Sequence, residues 1–155
     1  MTPEHRRQLD RIKVKVHSNK LLLSDEYNQS VHAKLYCIEL FGALEHLIRD
    51  CCVYYCKNCA NDYVQNFVSS TSKRFPNPNA HNILNTISSF DKNWGEKLEN
   101  FWDGEVKDAV SSIVSNRHHI AHGKNCNISI IKVRNWHGSV NSLSNFLWNE
   151  VFQLR

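Results

Sequence analysis

From Tyr27 to about Lys57 the chain carries Val31, Leu35, Ile38, Phe41, Leu44, Ile48, Cys52 and Tyr55 at helical steps. Further apolar residues occupy much of the remaining girth, so such a helix needs contact on several sides and should lie at the centre of its fold. Ser24, followed by Asp25 and Glu26, marks its start by a capping hydroxyl and first-turn acids. Everything else has to be arranged around this spine.

The remaining segments also read as helices joined by short polar links. Pro3 to His17 is a charged, weakly amphipathic helix, and a third helix spans Ala60 to about Ser70, ending before Pro76-Asn77-Pro78. His81 to Phe90 and Lys97 to Phe101 read as short helical pieces separated by Gly95, with Trp94 and Trp102 as bulky packing residues. Gly104 to Ser115 places Val106, Ala109, Val110, Ile113 and Val114 at helix spacing. Ile128 to Val133 is rich in β-branched residues and reads as an extended link or a short strand. A last helix, Ser139 to Phe152, should bury Val140, Leu143, Phe146, Leu147 and Val151. The expected fold class is all-α, a bundle over residues 1–155 as one domain, without internal repeats.

With 155 residues, 41% hydrophobic and 22% charged, the chain can bury a real core. A net charge of +4 permits a polyanionic partner without demanding one. Met1 to Lys15 is charged where a signal peptide needs an apolar core, and no run approaches the ~18 apolar residues of a membrane span. A cytoplasmic protein with no membrane partner is expected. Cys37, Cys51, Cys52, Cys56 and Cys59 fall within one helical stretch, where two thiols rarely reach disulfide geometry. They are expected to be free thiols packing a helix, although Cys56-Lys57-Asn58-Cys59 also has a spacing used for zinc or redox work.

The chemistry concentrates in Asn116-Arg117-His118-His119-Ile120-Ala121-His122-Gly123, where a permanent cation stands among groups that titrate near neutral pH. Gly123 stands where a helix C-cap glycine would, so these residues close a helix instead of interrupting one. At about 100° per residue, His118 and His122 lie about 40° apart on a helix, whereas Arg117 and His122 lie about 140° apart. An intact helix would not aim the second pair at one target; two copies meeting across a dimer, or unwinding at Gly123, would.

Arg117 to His122, with His118 after the arginine and an Ile-Ala-His-Gly ending, resembles the Arg-x4-x6-His motif of the HEPN superfamily. The stretch Asn127 to Lys132 followed by a helix resembles the branch of RiboL-PSP-HEPN and related proteins. As architecture the likeness covers most of the chain; it is specific from about Asp108 to Val151. It implies a helical bundle with a long central helix and an antiparallel C-terminal helix pair, a homodimer that joins two motifs in one cleft, and no cofactor. It also implies, in catalytically competent members, a metal-independent endoribonuclease of toxin-antitoxin, phage-defence or RNA-processing systems. An antitoxin protein is then a possible partner.

RNA carries its own nucleophile, the 2′-hydroxyl, so its cleavage needs only proton transfer and stabilisation of a charged phosphorane. His122 is the first candidate for general base or acid, His118 the second, and Arg117 the phosphate clamp; Asn116 and Glu45 are supporting candidates. Glu45 shares a stripe with Ile38, Phe41, Ile48 and Cys52, and a carboxylate buried there needs a cation, for which Arg117 is the candidate; the alternative is a displaced stripe with Glu45 solvated. Arg117 could equally be a structural ion-pair partner and His122 a C-cap residue. His118, His122 and Cys126 also admit a zinc reading, against which stand the missing His-Glu-x-x-His glutamate and the lack of a clear third ligand. Lys107, Lys124, Lys132 and Arg134 could meet phosphates, and Trp136 or Tyr36 could stack a base. The other function class is a non-catalytic HEPN module that binds RNA or a protein partner.

Overall fold

The computed structural model describes residues 1–73, 77–102 and 104–153. Among the described residues eight α-helices follow one another: α1 Pro3–Val16, α2 Asn19–Leu22, α3 Glu26–Cys59, α4 Asp62–Ser72, α5 Ala80–Phe90, α6 Lys92–Phe101, α7 Gly104–Ala121 and α8 Ile130–Phe146. A wider π-type turn, Leu147–Val151, closes α8, and there is no strand among the described residues. The all-α expectation holds.

Side-chain caps set most helix starts. Thr2, Asp25, Asn61, Asn79, Asp91 and Ser129 each accept a backbone N–H of the first turn. The cap of α3 is therefore Asp25, one residue beyond the expected Ser24. Asp91 starts α6 well before Lys97, so Gly95 is interior to that helix, where its missing side chain admits Ser88 of α5: a Cβ there would lie 2.1 Å from Ser88 Oγ. Capped by Ser129, α8 begins at Ile130, nine residues before Ser139, so the extended link or short strand read over Ile128–Val133 is helical from Ile130 on. Local β-branching is overruled because Ile130 and Val133 gain burial on one helix face. Pro76, expected to stop the third helix, lies outside the described residues; Asn77 and Pro78 are non-helical.

Side-chain contacts fix the helix directions. Thr2 donates to Asp50, Gln8 meets His46 and Lys15 bridges Glu39 at 2.7 Å, so α1 and α3 run antiparallel. His5 meets Ser144, His137 meets the Leu9 carbonyl and Arg134 donates to the Val16 carbonyl, so α8 is also antiparallel to α1. Hence α3 and α8 run the same way, and α7, joined to α8 by the link 122–129 and packed on both, runs against them. The long central helix and the antiparallel C-terminal pair are as expected.

Leu40, Leu44, Leu47 and Ile48 of α3 are buried with Ile113 of α7, Val133, Val140 and Leu143 of α8 and Ile12 and Val16 of α1. Each such side chain contributes about 1.5–3 kcal/mol of burial. Cys37, Cys51, Cys52 and Cys56 are buried, Cys59 is exposed, and the six thiols are unpaired. At the end away from the motif, Tyr55, Phe90, Trp94 and Phe152 form an aromatic cluster that ties α5 and α6 to α3 and the chain's last turn.

The expected stripe of α3 holds from Phe41 onward, where Phe41, Leu44, Ile48 and Cys52 are buried, and fails before it, where Val31, Leu35 and Ile38 are exposed and Ala33, Cys37 and Leu40 are buried instead. The girth of α3 holds more apolar residues than one chain covers.

Candidate functional site

Helix α7 stays regular through the motif and ends in a Schellman cap. Gly123, at φ 64°, donates to the Ile120 carbonyl at 3.1 Å, and Lys124 donates to the His119 carbonyl at 2.9 Å. Only glycine takes this left-handed conformation without strain, and His122 becomes the last residue before it. The sequence expectation for Gly123 is met, and unwinding there does not occur.

Because the helix is intact, its side chains diverge. The His118 and His122 rings come together, with centroids 4.3 Å apart and planes tilted by 56°, and both residues are exposed. His119 is half-buried, its ring 6.3 Å from that of His118. Arg117 turns the other way, its guanidinium carbon 4.8 Å from the centre of the Phe41 ring on α3. Stacking on an aromatic face holds the guanidinium plane while its N–H edges stay open to an anion. Among the described residues the side chains of Arg117, His118 and His122 make no hydrogen bond or ion pair.

Arg117 and Lys124 stand at this helix end beside three imidazoles, with no carboxylate paired to them among the described residues. The positive charge of His122, together with partial desolvation and with Lys124, His119 and Arg117, holds His118 below the ordinary histidine range.

Glu45 and Arg117 form no ion pair, although the guanidinium rests on Phe41, four residues before Glu45 on α3. The Cys37 thiol lies 3.6 Å from the Ile113 carbonyl, which registers α3 against the opposing α7. Glu45 is half-buried and makes no ion pair among the described residues. Asn116 uses its amide within α7, donating to the Ser112 carbonyl at 2.8 Å.

Of the suggested RNA contacts, Lys107, Lys124 and Lys132 are exposed. Arg134 is engaged with the Val16 carbonyl, Tyr36 is buried beneath Lys15 and His32, and Trp136 packs on the core. No group of three or more His, Cys, Asp or Glu side chains suited to a metal occurs among the described residues. Phe41, the platform for Arg117, reads in the sequence as an ordinary core residue; only the packing of α7 on α3 gives it this second task.

No described helix is long and apolar enough to cross a membrane. The family model described as RiboL-PSP-HEPN matches residues 6–150 of the chain. No curated protein and no solved structure matches it.

Proposed function

The chain belongs to the RiboL-PSP-HEPN family, and from that premise we propose that it is a metal-independent endoribonuclease whose complete site is assembled by two copies. The observation that carries this reading is the exposed end of α7, where Arg117, His118 and His122 stand with their polar edges uncommitted. An exposed guanidinium and exposed imidazoles with free edges are able to meet a phosphodiester and to exchange protons with it.

In the proposed reaction an imidazole takes the proton of a ribose 2′-hydroxyl, and the 2′-oxygen attacks the adjacent phosphorus. The bond from phosphorus to the 5′-oxygen breaks, a second imidazole supplies that oxygen's proton, and a 2′,3′-cyclic phosphate remains. His118, the imidazole with the depressed pKa, suits the first transfer and His122 the second. Arg117 clamps the phosphate and offsets the charge of the phosphorane. Since Arg117 and His122 diverge on one helix, an arginine from one copy working with the histidines of another meets the geometric requirement. The six unpaired thiols suit a reducing compartment, in keeping with a cytoplasmic toxin or defence effector that an antitoxin protein would restrain.

The test is incubation of the purified protein with bulk RNA in EDTA, followed by analysis of product ends. Cyclic phosphate ends that persist with chelator and vanish in His122→Ala support the proposal. Failure to cleave any RNA would favour the other reading, a non-catalytic module binding RNA or a protein, which the turn of Arg117 onto Phe41 favours.

A further inference from the structure

Between α1 and α3 lies a cleft of about 340 Å³ to which α7 contributes nothing. Its volume is that of a small-molecule site, and every side chain along it is polar or charged. His5 on its wall is 2% exposed and is fixed through Nε2, 3.0 Å from the Ser144 hydroxyl of α8, while Nδ1 has no partner among the described residues. A buried polar atom without a partner is rare in a folded chain. Across the cleft, Nδ1 of His46 meets the side-chain oxygen of Gln8 at 3.3 Å. In the neutral ring that nitrogen carries the hydrogen, so Nε2 of His46 is a second bare lone pair.

Two acceptor nitrogens and two carboxylates, Glu4 and Asp50, suit a ligand that is positive and donates. Two guanidiniums, Arg11 and Arg49, suit one that is negative. Little of this charge is spent within the chain. Glu4 and Arg11 make no ion pair among the described residues, and Arg49 stands 3.7 Å from its neighbour Asp50, beyond hydrogen-bond reach. Arg11 donates to the Arg7 carbonyl through Nε, which leaves its terminal nitrogens over. An anion alone would face the carboxylates, a cation alone would face the guanidiniums, and an apolar body would find no apolar side chain to rest on. A small molecule that joins an ammonium to a carboxylate answers both signs.

We propose that this cleft binds a free α-amino acid with a polar side chain, its carboxylate held by Arg11 and Arg49 and its ammonium by Glu4 and Asp50 beside the bare nitrogens of His5 and His46. The site stands apart from the chemistry at α7 and does not depend on it. Because its walls belong to α1 and α3, an occupant links the two helices and stabilises the bundle.

Titration calorimetry with L-glutamine, L-glutamate and L-arginine tests the site. At least one of them should bind, one molecule per chain. Its methyl ester, which lacks the anion, and its N-acetyl derivative, which lacks the cation, should each bind about tenfold more weakly or worse. Arg49→Gln, Asp50→Asn and His5→Leu should each weaken binding by about tenfold or more, with unchanged far-UV circular dichroism. In the wild type the nitrogen resonance of His5 Nδ1 should shift on saturation. No heat from any of the three at millimolar concentration overturns the proposal. So do blocked derivatives that bind as well as the parent, or Arg49→Gln and Asp50→Asn proteins with wild-type affinity. Whether the protein cleaves RNA leaves each of these outcomes unchanged, so this site and the nuclease reading fail separately.

Discussion

His5 makes the stability of this protein depend on acid in a way that one substitution should remove. Its side chain is 2% exposed, with Nε2 3.0 Å from the Ser144 hydroxyl. Ser144 already donates its proton to the Val140 carbonyl at 2.7 Å, so Nε2 of His5 carries the hydrogen and donates to the Ser144 oxygen. Nδ1 is then a bare, buried lone pair without a partner. A proton there would find no acceptor, and burial first, with the charge of His46 next, pushes the His5 pKa from 6.5 down to about 4. The unfolded chain takes up a proton near pH 6.5 while the folded one resists until about 4, so stability falls as pH falls through this window. At 1.36 kcal/mol per unit the loss approaches about 3 kcal/mol. Urea unfolding followed by circular dichroism at both ends of the window, at one protein concentration, measures it. His137, also buried and held below its ordinary range, contributes in the same direction to both proteins. His5→Leu should therefore lose about 3 kcal/mol less than the wild type between these pH values; parallel losses would refute the assignment.

Arg117→Ala and His122→Ala should each lower cleavage by about 100- to 10,000-fold with the fold intact, as product formation in EDTA and circular dichroism would register. If His118 is the base, cleavage should rise with pH through a value below 6.5, because the base must be unprotonated and neighbouring positive charges hold its pKa down. Lys124→Gln, or added salt, relieves part of that repulsion and should move this limb toward higher pH, visible in the pH profile of the initial rate. Gly123→Ala forces a side chain into φ 64° and should cost about 1–2 kcal/mol, read from the thermal midpoint.

The sequence determined the helical class, the central helix, the cap at Gly123 and the cationic motif, because periodicity and capping residues act over a few positions and need no distant partner. It misread what depends on packing. Ile128 to Val133 looks extended by its β-branching, yet Ile130 and Val133 are buried on α8, and Gly95 looks like a break, yet it is where α5 and α6 close on each other. The rotation of α3 escaped for the same reason: apolar residues encircle it, so no periodicity says which of them this chain covers and which it leaves bare. Tertiary structure alone turned Val31, Leu35 and Ile38 outward, set Phe41 beneath Arg117 and left Glu45 without an ion pair to that arginine, because the register of two opposed helices is fixed by how their side chains interlock, a property of neither helix alone.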